Sequence, residues 1–177
     1  MKHDTPKLAL FEETIAPHLD AAYNLARWLT RNDQDAEDVV QEASLRAFRY
    51  FDGFKGGDGK AWLLAVVRNT CMTWNRRWKG SSAMVAFDER THGRDRAEVD
   101  AESKLLQEAE LVSLRDCLET LAPEYREVLV LRELEELCYK DIAEIVGVPM
   151  GTVMSRLSRG RSRLADCITA RVKGANT

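Results

Sequence analysis

The residues with the most reactive chemistry in this 177-residue chain are four cysteines, three histidines and one glycine-lysine pair, and spacing decides what each can do. Cys71, Cys117, Cys138 and Cys167 stand 46, 21 and 29 residues apart, so no CxxC pair offers a metal or redox centre. The expectation is four reduced, semi-buried thiols. His3, His18 and His92 are equally scattered and form no ligand constellation, so no cofactor is expected. Gly59-Lys60 hints at a phosphate loop. It fails that test, because Phe54 stands where the earlier glycine should be, Ala61 replaces serine or threonine, and no strand precedes it. No nucleophile has an evident base partner, which argues against an enzyme.

Arginine chemistry is more promising. Residues 156–173 hold six basic side chains against Asp166, net +5, whereas residues 108–144 hold four basic and eleven acidic ones, net −7. The chain's formal charge of −3 therefore hides a basic stripe of the kind that meets phosphates. Advancing about 100° per residue from Val153, the positions Leu157, Gly160, Leu164 and Ile168 stay close to one inward line. Thr152, Ser155, Arg156, Arg159 and Arg163 gather on the far side, where planar guanidinium forks and hydroxyls can meet base edges or backbone. Just before this helix, Val146-Gly147-Val148-Pro149 makes a tight break, with Gly147 suited to a left-handed helix stop and Pro149 to a first turn. Ile142, Ala143 and Ile145 on one side and Val153 and Leu157 on the other supply the apolar patch of two crossed helices. Residues of about 138–163 therefore read as a helix-turn-helix for duplex DNA.

Two further constellations lie upstream. Asp35 can cap a helix running to Phe48, in which Val39, Val40, Ala43 and Ala47 face a core and Asp38, Gln41, Glu42 and Arg46 form an exposed polar strip. After it, the glycine-rich loop Phe51–Gly59 carries Lys55, Gly56, Gly57 and Asp58 into a helix that contains Lys60 and Asn69. That helix ends with Arg76 and Arg77 among Trp74 and Trp78, and interleaved rings and cations suit stacked single-stranded bases. Trp62 recurs with Val66 and Asn69 at helical spacing and reads as core. Trp74 and Trp78 fit either packing or melted DNA.

The elements that must position these groups are helical throughout, since apolar residues recur at three and four and β-branched runs are short. The fold class is all-α: two small helical domains, 8–78 and 108–172, with residues 79–107 as a polar tether that loses the periodicity. With 45% hydrophobic residues the chain can bury cores, and neither a membrane span nor a secretory signal is read in it, so the expected setting is the cytoplasm, without direct membrane insertion.

The stretch from Gly151 to Arg159 resembles the fourth conserved region of bacterial RNA polymerase sigma factors of the extracytoplasmic-function (ECF) group, and the stretch from Asp35 to Phe48 resembles the second. Met154 departs from the family, which often has lysine there, and Cys138 stands where a capping serine is common. The resemblance implies a factor that binds core RNA polymerase, through the clamp helices of its largest subunit and the flap region, and that reads promoter DNA in both duplex and single-stranded form. Asp38, Gln41, Glu42 and Arg46 would meet the polymerase, Thr152, Ser155, Arg156, Arg159 and Arg163 the minus-35 element, and Lys55, Gly56, Gly57, Asp58, Lys60, Asn69, Arg76 and Arg77 the minus-10 element as it melts. It also implies that an anti-sigma factor is a common partner, and that the linker enters the polymerase cleft. The competing reading is a helix-turn-helix regulator that binds DNA without core polymerase.

Overall fold

The computed structural model describes the backbone of residues 4–79 and 101–175, with side chains over 6–74 and 111–173. Helices α1 (Asp4–Ile15), α2 (Leu19–Thr30), α3 (Asp33–Tyr50) and α4 (Gly59–Lys79) form the first block. Helices α5 (Ala101–Thr120), α6 (Pro123–Leu129), α7 (Tyr139–Val146) and α8 (Met150–Ala175) form the second. No strand occurs among the described residues. Most of the expected tether lies outside them, and its last residues, 101–107, belong to α5.

Small side chains hold the first block together. Ala21, Ala22, Leu25 and Ala26 of α2 and Ala36, Val39, Ala43 and Ala47 of α3 are all buried, so the helix backbones can approach closely. Leu63, Leu64, Val67 and Cys71 of α4, none of them solvent-exposed, close the bundle. Each buried leucine contributes about 1.5–3 kcal/mol relative to exposure. The start of α3 differs from expectation: Asn32, not Asp35, is the N-cap, and its side chain accepts from the Asp35 amide at 2.9 Å. Asp33 and Asp35 then sit in the first turn, where the helix dipole favours them.

In the second block, α8 packs on α5, α6 and α7. Gly147 closes α7 in the left-handed conformation, φ 73°, its amide bonding to the Ala143 carbonyl at 2.9 Å. The Cys138 sulfur does cap α7, accepting weakly from the Asp141 amide at 3.5 Å, while its thiol donates to the Asp141 carboxylate at 2.9 Å. After α6 the chain widens into one π-turn, Val130–Leu134, with the Glu135 amide bonded to the Val130 carbonyl. The expectation of four reduced thiols is overturned in part: Cys117 of α5 and Cys167 of α8 form a disulfide, Cα–Cα 5.8 Å. Fifty residues separate them, so only the folded packing of α5 on α8 brings them together.

The two blocks do not merely share a tether. α4 lies against α7, α2 lies against α6 and the π-turn, and the buried side chains of both blocks form one continuous cluster.

Candidate nucleic-acid and polymerase interfaces

The N-terminal turns of α8 follow from the wheel drawn on the sequence. Val153 and Leu157 are buried and Gly160 is pressed so closely against α6 that a Cβ there would stand 3.1 Å from Leu129 Cδ1. Leu164 and Ile168 are only half-buried. On the opposite surface Ser155 and Arg159 are exposed, and Thr152 and Arg156 are half-buried. Ser155 Oγ donates back to the Thr152 carbonyl at 3.0 Å. Arg163 is exposed but engaged, its guanidinium lying 4.9 Å from the centre of the Tyr125 ring. Arg161, at the flank, forks onto Glu133 Oε1 at 2.7 and 2.9 Å, which raises its affinity for its proton. The strip therefore narrows to Thr152, Ser155, Arg156 and Arg159, with Arg163 set beside it.

The polar strip expected to be exposed on α3 is so only in part, with Gln41 exposed and Asp38, Glu42 and Arg46 half-buried. Glu42 and Arg46 pair with each other at 2.7 Å across one helical turn. Beside them Leu8, Phe11, Leu45 and Phe48 line an open apolar cleft of about 430 Å³ between α1 and α3.

The glycine loop is held from beneath by rings. Phe11, Phe51, Phe54 and Trp62 meet at centroid distances of 5.2–6.1 Å, which agrees with the core role read for Trp62. Gly56 and Gly57 adopt φ of 84° and 103°, so this path is open to glycine and strained for other residues. Lys55, Gly56, Gly57 and Asp58 are exposed. The Asp58 carboxylate is occupied in capping α4, accepting from the amides of Lys60 and Ala61 at 2.8 and 3.1 Å. Asn69 is exposed on α4, Trp74 is half-buried against the core, and the side chains of Arg76, Arg77 and Trp78 lie outside the described residues.

Lys60 is the exception. Its ammonium lies 2.9 Å from a Glu135 carboxylate oxygen and donates to the Glu135 carbonyl at 2.9 Å, joining the first block to the second. Nearby, Arg68 of α4 pairs with Glu127 of α6 at 2.7 Å. Glu127 and Glu135 are each only 4% exposed. Sequence reasoning missed both acids, because neither motif nor period marks pairs 75 and 59 residues apart. Burial pushes the Arg126 guanidinium down from its ordinary value, and Arg31 across the seam adds to that. Burial also pushes the Cys71 thiol up to about 12, with the Glu127 carboxylate adding to the effect.

Two family patterns match this geometry block by block: sigma-70 region 2 over residues 14–80 and sigma-70 region 4 over residues 111–164. The chain is 34% identical over 154 residues to the ECF RNA polymerase sigma-E factor of Haemophilus influenzae, covering 81% of this chain and 79% of that one. The chain belongs to the ECF sigma factors. Against the ECF RNA polymerase sigma factor SigE of Mycolicibacterium smegmatis it is 34% identical over 164 residues, 92% of its own length and 63% of the relative's. The fold of this sigma factor also matches RpoE of Bartonella quintana, solved with the anti-sigma factor NepR. The TM-score is 0.71 at 26% identity, over 90% of this chain and 96% of that one. No described helix is long and apolar enough to cross a membrane.

Proposed function

We infer that this sigma factor directs core RNA polymerase to promoters in the cytoplasm and performs no covalent chemistry of its own. The observation that carries the reading is the order of parts on one chain: a region 2 block with an open glycine loop and polar strip, then a region 4 block whose α8 presents its first turns outward. In this reading Asp38, Gln41, Glu42 and Arg46 dock on the polymerase clamp. Lys55, Gly56, Gly57 and Asp58 form the wall approached by the displaced minus-10 strand, with Lys60, Asn69, Arg76 and Arg77 along its backbone. Energy for opening the duplex comes from binding bases and phosphates that melting exposes. Thr152, Ser155, Arg156 and Arg159 read the minus-35 duplex, and Arg163, held over Tyr125, supports the helix beside it. The anti-sigma factor bound to the Bartonella relative supports a comparable regulator for this chain.

Run-off transcription with core polymerase on a promoter library tests the reading. Transcripts should depend on both protein and core, and Arg156→Ala or Arg159→Ala should weaken minus-35-dependent initiation about tenfold or more while core affinity holds. Strong footprinting by the protein alone, with no gain from core, would establish the regulator reading instead.

A further inference from the structure

Cys117 and Cys167 close a ring of chain that contains α6, the π-turn, α7 and the first turns of α8, so one covalent bond encircles the helix-turn-helix. Little else ties down the far end of α8. Beyond Gly160, as far as Lys173, only Leu164, Cys167 and Ile168 are even half-buried. The Arg171–Asp116 pair also joins α8 to α5, at 2.6 Å, but its side chains are 42% and 39% exposed and such a pair contributes little. That end has to hold when the two promoter elements are read together. At about 3.4 Å per base pair they are centred about 80 Å apart on straight duplex, farther than two packed small blocks span. The second block then stands by itself at about 60 residues, a size with little stability to spare. The two sulfurs are also unequally placed. Cys117 is fully buried, whereas Cys167 is half-buried with Arg163 and Arg171 one turn to either side, cations that favour a thiolate. In the reducing cytoplasm proposed for this chain, a disulfide is ordinarily transient or redox-sensing.

We propose that the Cys117–Cys167 bond is a reversible redox switch, closed by peroxide and opened by low-molecular-weight thiols, that sets how firmly α8 is held to read the minus-35 element. The proposal rests on α8 being that reader. In closing, the Cys167 thiolate attacks one peroxide oxygen, the O–O bond breaks, and a sulfenic acid and hydroxide form; the hydroxide takes up the proton that Cys167 released. The Cys117 sulfur then attacks Cys167 Sγ, the S–O bond breaks, and a second water leaves with the Cys117 proton. Two thiols thus give two electrons to one peroxide and yield two waters. In opening, a thiolate attacks the more accessible Cys167 Sγ, the S–S bond breaks, Cys117 leaves and takes up a proton, and a second thiol frees Cys167. For the test, the full-length protein is treated with glutathione or with hydrogen peroxide and freed of reagent under argon before core polymerase is added, so that the polymerase thiols are untouched. Run-off transcription from a minus-35-dependent promoter should be about fivefold stronger with the oxidised protein. Core affinity should be equal for the two forms, and peroxide should restore the reduced one. Cys167→Ser, at a half-buried site, should match the reduced form and ignore both reagents, whereas Cys138→Ser should respond as the wild type does. A bond that excess glutathione leaves closed, equal transcription from both forms, or a Cys167→Ser protein that still responds would each overturn the proposal. Core-dependent transcription in those cases leaves the sigma-factor reading standing and removes only the switch. If neither form directs core polymerase to a promoter, both fall.

Discussion

Cys71 and Cys138 are both free thiols in different surroundings, one buried and one exposed. The folded Cys71 value, near 12 against an ordinary 9.0, lies above the unfolded one. Its contribution to stability is thus complete below about 9 and fades as pH climbs toward 12. Iodoacetamide at neutral pH should label Cys138 and leave Cys71 until the chain unfolds; mass spectrometry of early peptides carrying the label on Cys71 would contradict the burial. The exposed strip of α8 was legible because about half a helical turn separates Val153 and Leu157 from Ser155 and Arg159. Arg163 was legible only in part, since its ring partner Tyr125 comes from another helix and no spacing announces it. The cap of α3 was misread for a related reason. Asn32 and Asp35 are both good caps, and the choice between them is made by the chain's exit from α2, where Arg31 takes a left-handed turn at φ 61°.

At the level of elements, two contacts set how the helices sit. Gly59 opens α4 directly over Thr14, whose carbonyl oxygen would stand 2.7 Å from an added Cβ. Gly59→Ala should therefore cost about 1–3 kcal/mol, read as a lower denaturant midpoint with unchanged slope. A midpoint equal to the wild type would mean that α1 yields freely. The second contact is the disulfide between α5 and α8. Breaking it by reduction, or by Cys117→Ser with Cys167→Ser, should lower stability by about 2–4 kcal/mol, because the unfolded chain regains the freedom of a 50-residue loop. Thermal melts with and without reductant measure this, and coincident melts would rule it out. Sequence separation alone gave no reason to pair those two cysteines, and a chain expected in a reducing setting gave a reason not to. Their pairing is a product of helix packing. The helix-turn-helix, by contrast, was readable at Gly147 and the buried residues around it because every determinant lies within one short stretch.

For the whole molecule, the seam between the blocks is the feature least visible in the chain. Periodicity lapses between the blocks, but their contact includes Lys60 with Glu135 and Arg68 with Glu127, distant pairs joined by folding. Leaving one member unpaired should cost about 1–3 kcal/mol, and about 1.4 kcal/mol already shifts a population tenfold. Glu135→Gln and Lys60→Gln should each raise the fraction of chains with parted blocks, seen as a larger radius of gyration in small-angle scattering. Identical scattering profiles would show that apolar contact alone holds the seam. Lys60 also stands at the edge of the glycine loop, so a strand phosphate and the Glu135 carboxylate would compete for one ammonium.

The seam has one more consequence, for what the protein shows to its surroundings when the blocks separate. The apolar cluster that runs through both blocks would, if it closed the seam alone, uncover a sticky patch on opening. Here Glu127, Glu135, Arg68 and Lys60 each part carrying a charge that water accepts at once, and the like charges of Arg31 and Arg126 are relieved of each other. Hydration of these charges thus offsets part of the cost of parting the blocks.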